Sequence, residues 1–313
     1  MSELYTVGNG VQMEFDDGAV KLYSDGGILW PDWLEAADID RKNVTSICVT
    51  EGKVYLPEDA CGYDEYEGAY TMFGGLNRVE SIDFNNFDTS YVTNMRFMFD
   101  DCLSLEEIDM SGCDTSNVTN MEGMFYNCNR LQYLDLSGLD TSSVTDMCCM
   151  FYECSSLTDI DLRSIDTSNV VNMDGMFHRC GKLKNLDIKN FNTSKVTSMA
   201  GMFDGCISLG NVDVSSFDTS RVTNMKNMFD KCCRLRKLRL KNFNTSNVTN
   251  MEHMFNGCSR LTHLDLSNFD IANVKNMNYM FAGCEKLRSV RINITADVTT
   301  ETNHMFDECP KLV

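Results

Sequence analysis

The chain has 313 residues, 43% of them hydrophobic, enough for a large buried core. Its 46 acidic and 27 basic side chains leave a formal charge of −19, which argues against general nucleic-acid binding. Only three prolines occur, which excludes a Pro-rich stalk, and no apolar run reaches the roughly 18 residues of a bilayer span, so no membrane insertion is expected.

In chain order, the start MSELYTVGNG has no basic segment leading into an apolar one, so no secretory signal is expected. Residues 11–23 read as two alternating strands around Asp16-Asp17-Gly18, a hairpin. Trp30 and Trp33 follow, either as part of a cap or lining a ligand pocket. Residues 44–52 read as the strand of a first coil. Residues 1–52 are thus expected to be an N-terminal β cap with a first strand. Residues 53–78 are expected to form an extended, irregular first repeat. There Tyr55, Tyr63, Tyr66 and Tyr70 alternate with acids, as a solvated loop or a protein-contact patch.

From residue 79 to 313 a 26-residue repeat takes over. Met-Phe recurs every 26 residues from Met72-Phe73 to Met280-Phe281, then once more at Met305-Phe306. Each unit opens on apolar positions such as Leu131, Leu134 and Leu136, which predict a short strand with one buried face. Val118, Met121, Met124, Phe125 and Cys128 are spaced by mostly three residues, which predicts a short helix. Thr119 with Glu122, and Thr249 with Glu252, read as capping boxes. One unit alone cannot bury its apolar side, so units must stack and share cores. The last unit loses its Asp-Thr-Ser turn and reads as a capping repeat. Two methionine columns face the core as flexible fillers. Nine cysteines, from Cys102 to Cys309, share one register and are expected to be free thiols.

The segments LDLSNFD (264–270), FNTSNVTNM (243–251) and MFNGC (254–258) resemble the BspA-like leucine-rich repeat family, and the likeness covers about residues 72–313. The resemblance implies a right-handed solenoid with a parallel concave sheet and short convex helices. It also implies surface or secreted proteins that adhere to partner proteins or host cells.

On the exposed sheet face one column reads Asp83, Asp109, Asp135, Asp161, Asp187, Asp213, Arg239, Asp265 and Arg291. Neighbouring carboxylates about 4.8 Å apart repel, so they are screened, bridged by cations, paired with Lys189 or Arg163, or held for a basic partner. Lys237, Arg239 and Lys241 reverse the sign in one coil. The charge is also graded along the chain: −13 over residues 1–100, −8 over 101–200 and +2 over 201–313. A second column, Asp88, Asp114, Asp140, Asp166, Asn192, Asp218, Asn244 and Asp270, exchanges Asp for Asn and reads as Asx turns. The candidate partner-binding residues are therefore Asp83, Asp109, Asp135, Asp161, Asp187, Asp213, Lys237, Arg239, Lys241 and Asp265, with Tyr63 and Tyr66. Four scattered histidines and no zinc-like spacing give no catalytic, metal or cofactor expectation. The expected function is a non-enzymatic protein-binding module, acting as a monomer. The alternative is a structural solenoid, such as a spacer or a virion or tail component.

Overall fold

A computed structural model describes residues 3–64, 69–70, 72–293 and 300–313. It divides into two compact units: Met1–Val144 with Glu153–Ile165, and Thr145–Tyr152 with Asp166–Val313. Both are built from the same coil. Among the described residues the only helical element is a 3-10 turn at Arg41–Asn43.

In the first unit β1 (Leu4–Asp16) and β2 (Ala19–Leu29) form an antiparallel hairpin. Its two-residue turn places Asp17 at φ 45 and Gly18 at φ 86, both left-handed, which matches the twist of the strands it joins. Strand β2 then runs parallel to β3 (Ser46–Tyr55), and β3 pairs with Ser81–Asp83, the first short repeat strand. The sheet continues through Glu107–Asp109, Tyr133–Asp135 and Asp159–Asp161, leaving β1 as its outer edge. Trp33 is fully buried, donates Nε1–H to the Met72 carbonyl at 2.9 Å and meets Phe73 edge-on. Trp33 is therefore core, not part of a ligand pocket. Arg41, also buried, is held by Glu35 and by the carbonyls of Met72 and Gly74.

In the second unit the strands are short parallel pairs, Asn185–Leu186 with Asn211–Val212 and His263–Leu266 with Ser289–Ile292. The coil between them, around 234–242, carries no strand assignment.

The predicted short helices are not formed. Within 199–206, alternate N–H groups go to different places. Those of Met199, Gly201, Phe203 and Gly205 reach the carbonyls of Asn224, Lys226, Met228 and Asp230 in the next coil, at 2.8–3.1 Å. Those of Met202, Asp204 and Cys206 close turns on the residue three back. Left-handed residues cause the alternation: Gly201 at φ 62 and Gly205 at φ 72 here, Phe97 and Asp101 in the first unit. A helix would spend every N–H on itself, whereas this ribbon of turns spends half of them on its neighbour. It still points Val, Met, Met, Phe and Cys inward at the spacing of a helical face. The capping boxes fail for the same reason. Thr119 and Thr249 donate to the Thr93 and Thr223 carbonyls, while Asn120 and Asn250 accept from the N–H of Glu122 and Glu252.

The inward residues make continuous rows inside each unit, the second ending on the exposed Phe306. Phe73, Phe99 and Phe125 stack in the first. Phe151, Phe177, Phe203, Phe229, Phe255, Phe281 and Phe306 stack in the second. Both methionine columns are buried. In the last coil Thr302 takes the methionine position, because Met305 closes its turn on Thr302 as Met280 does on Met277.

Glycine at the left-handed sites avoids a steric cost. Gly257 sits at φ +69, and an added Cβ would lie 3.4 Å from Lys231 Cα. Gly257→Ala is expected to cost about 1–2 kcal/mol, read as a lower urea midpoint; an unchanged midpoint would mean that the ribbon tolerates a side chain there.

Candidate functional site

The repeated polar residues belong to the fold. In each Asp-Thr-Ser turn the Asp or Asn accepts the N–H two residues on, from Ser90 onto Asp88 (2.9 Å) to Ala272 onto Asp270 (3.0 Å). The threonine is buried and donates Oγ1–H to the next coil, as Thr193 does to Asp218 O and Thr219 to Asn244 O, both at 2.9 Å. The cysteines of the common register are free thiols, and each donates to the phenylalanine carbonyl one coil back, as Cys206 does to Phe177 at 3.1 Å. Burial pushes the Cys154 and Cys206 thiols up to about 12, so neither supplies a thiolate nucleophile near neutrality.

The sheet face differs in each unit. In the first, Asp83, Asp109, Asp135 and Asp161 stand in register on neighbouring strands, the first three exposed and Asp161 half-buried. They too are Asx caps, accepting from the N–H of Asn85, Ser111, Ser137 and Arg163 at 2.9–3.0 Å. Those bonds make a row of like charges tolerable. The Ser111 N–H and hydroxyl hold Asp109 below the usual carboxylate range, and the Arg163 guanidinium and N–H hold Asp161 at about 2. This second use of Asx turns was readable as Asp-x-Ser or Asp-x-Asn, a spacing masked by the strand pattern.

In the second unit Asp187 is exposed, while Asp213 and Asp265 are half-buried and accept from Ser215 and Ser267 N–H. Lys189 and Arg239 add to the lowering of Asp213, and Arg291 and Lys241 to that of Asp265. Lys237, Arg239 and Lys241 are all exposed, and Asp265 stands in register with Arg291. Arg236, Lys237, Arg239, His263, Asp265 and Arg291 line a depression of about 430 Å3. Of the two tyrosines, Tyr63 meets Tyr70 edge-on at 5.5 Å, while Tyr66 lies outside the described residues. Tyr70 donates its hydroxyl to Asp101. No metal-holding group of three His, Cys, Asp or Glu occurs among the described residues.

A column that the sequence reading passed over stands two residues before the charged one: Ser81, Glu107, Tyr133, Asp159, Asn185, Asn211, Lys237, His263 and Ser289. All but the half-buried Ser289 are exposed, and apart from one repeated serine and one repeated asparagine they differ from one another. Its signal was its variation inside an otherwise fixed repeat.

Coils of 26 residues joined by parallel strand pairs and by turn ribbons make this a leucine-rich-repeat solenoid. The chain belongs to the family described as Mycoplasma protein of unknown function, DUF285, which matches residues 68–161, 154–238 and 210–312. A comparison with curated proteins finds no match. Among solved structures the chain is similar to a leucine-rich repeat protein from Eubacterium ventriosum at 15% identity and a TM-score of 0.42, covering 100% of this chain and 84% of that one. It is also similar to a T. pallidum leucine-rich repeat protein (17%, TM-score 0.35, 74% and 87% covered). A third is an internalin from Listeria monocytogenes (15%, TM-score 0.33, 87% and 69% covered). No helix among the described residues is long and apolar enough to cross a membrane.

Proposed function

We propose that the chain is a non-enzymatic protein-binding module that engages its partner across the exposed sheet face, in adhesion or partner recognition at a cell surface or after secretion. The placement at the surface rests on the BspA-like resemblance. The observation that carries the binding reading is the division of the polar residues. Those that recur are engaged in hydrogen bonds within or between coils, whereas one outward strand column changes from coil to coil and is largely exposed, Tyr133 at 55%. A scaffold with fixed interior columns and a variable outer column is suited to recognition rather than to chemistry, and binding surfaces favour tyrosine and arginine.

The test is binding of the immobilised chain to candidate extracellular proteins across a salt series. Tyr133→Ser and Arg239→Asp are surface changes, expected to leave the unfolding midpoint in place. Each is expected to weaken about tenfold a partner held by the sheet face of its own unit. A partner whose binding ignores both substitutions would remove the sheet face from its role.

A further inference from the structure

The sheet face of the second unit carries cations that, among the described residues, make no close ion pair. Arg130, Arg163 and Lys226 each have a carboxylate partner within 4.0 Å. Among the described residues, Arg236, Lys237, Arg239, Lys241 and Arg291 have no ion pair or hydrogen bond, and all five are exposed. Four of them, Arg236, Lys237 and Arg239 from one coil and Arg291 two coils on, line the depression with His263 and Asp265. Four of the five sit in one coil and Arg291 two coils on; Asp213 and Asp265 attract Arg239, Lys241 and Arg291 at longer range, but all five cationic ends stay exposed and open to an anionic partner.

The order of charges restricts that ligand. Along the column Asp213, Arg239, Asp265 and Arg291 the sign alternates from coil to coil. With strands about 4.8 Å apart, the two arginines are roughly 10 Å apart. A polyproline-II segment returns to the same side every three residues, after about 9 Å. A uniformly charged polymer would set anions against Asp213 and Asp265, whereas a peptide can place carboxylates on the arginines and leave the positions between them neutral. We infer that this depression takes an extended acidic segment of a protein partner, with carboxylates at three-residue spacing on Arg239 and Arg291. This rests on the binding reading above and names the partner's chemistry.

The experiment is fluorescence anisotropy of a labelled Glu-Ser-Ser repeat peptide against the whole chain, with the Gln-Ser-Ser peptide, a sulfated oligosaccharide and single-stranded DNA as competitors. The glutamate peptide is expected to bind in a salt-sensitive way and the glutamine peptide not to bind. The double change Arg239→Gln with Arg291→Gln is expected to weaken binding about tenfold or more. Asp265→Asn is expected to tighten it severalfold, and Lys195→Gln, on the exposed turn, to leave it unchanged. Equal binding of the two peptides, no binding at low salt, or insensitivity to the arginine pair would overturn the inference. So would tighter binding of the sulfated or nucleic-acid polymer. Salt-sensitive self-association abolished by Asp109→Asn would instead assign the depression to a second copy of the chain. If the peptide fails while a partner is still lost with Tyr133→Ser, the binding reading stands and only this assignment falls.

Discussion

Phe203→Ala is expected to destabilise the chain by roughly 3–5 kcal/mol, the largest effect of any single truncation considered. Phe203 is fully buried between Phe177, 6.0 Å away and nearly coplanar in orientation, and Phe229, 5.3 Å away at 15°. Centroid distances beyond the strand spacing mean that the rings are offset, the favourable parallel arrangement. Its main chain is equally engaged: the N–H donates to Met228 O, and the carbonyl accepts the Cys232 thiol. The coil holds only its neighbours, so a cavity here weakens two contacts between coils at once, with no wider core to compensate. Urea unfolding followed by far-ultraviolet circular dichroism measures the loss. Tyr133→Ala, on the exposed face, should change stability by less than about 0.5 kcal/mol. A loss below about 1 kcal/mol for Phe203→Ala would show that the phenyl row does not carry the core.

Stability is expected to peak in mildly acidic solution and to fall toward neutral and alkaline pH. Burial, with the charge of Asp101 beside it, pushes Asp100 up to about 7. Burial, with the charge of Asp230, pushes Asp204 up to about 6. His178 at 3.5 Å, Arg179, Lys231 and Asn227 also face Asp204, and the cations only partly offset its burial. For a carboxyl raised in the folded state, the native form holds the proton longer than the unfolded form. Its penalty is absent below about pH 4, where both forms are protonated, and grows as pH rises through 6 to 7. For Asp204 the full penalty is on the order of 3 kcal/mol. The lowered carboxylates Asp109, Asp161, Asp213 and Asp265 act the other way: their contribution is present above about pH 4 and is lost as pH falls toward their folded values. Thermal midpoints should therefore rise from about pH 8 to about pH 5 and drop below about pH 4. Asp204→Asn should stabilise the chain at about pH 8 by roughly 1–3 kcal/mol and flatten that limb. A midpoint that climbs with pH through neutrality would refute the assignment.

Much of the fold was legible because the chain repeats itself. The 26-residue period, the buried Leu, Met, Phe and Cys columns and the Asp-Thr-Ser turn each appear up to ten times, so chance is averaged away. The ribbon was misread because a helix and a run of alternating turns send side chains inward at the same intervals. The distinguishing sign was present in glycine or asparagine at four-residue spacing, as at Gly123 and Asn127 or Gly201 and Gly205, residues that suit left-handed backbone. The acidic column of the sheet face reads in sequence as charged or as locally hydrogen-bonded, and only the structure fixes the N–H two residues on as the donor.

The sequence by itself determined the stacking of coils and which side chains face inward, because a unit with one apolar side has no stable existence alone and identical neighbours complete it. Tertiary structure alone decided where the main-chain N–H groups go, since helix and ribbon differ only in whether those groups point along the coil or across to the next. It also decided which charges remain unspent. Asp161 and Arg163 neutralise each other locally, whereas among the described residues Arg239 and Arg291 find no carboxylate within 4.0 Å, a difference of geometry that composition does not encode.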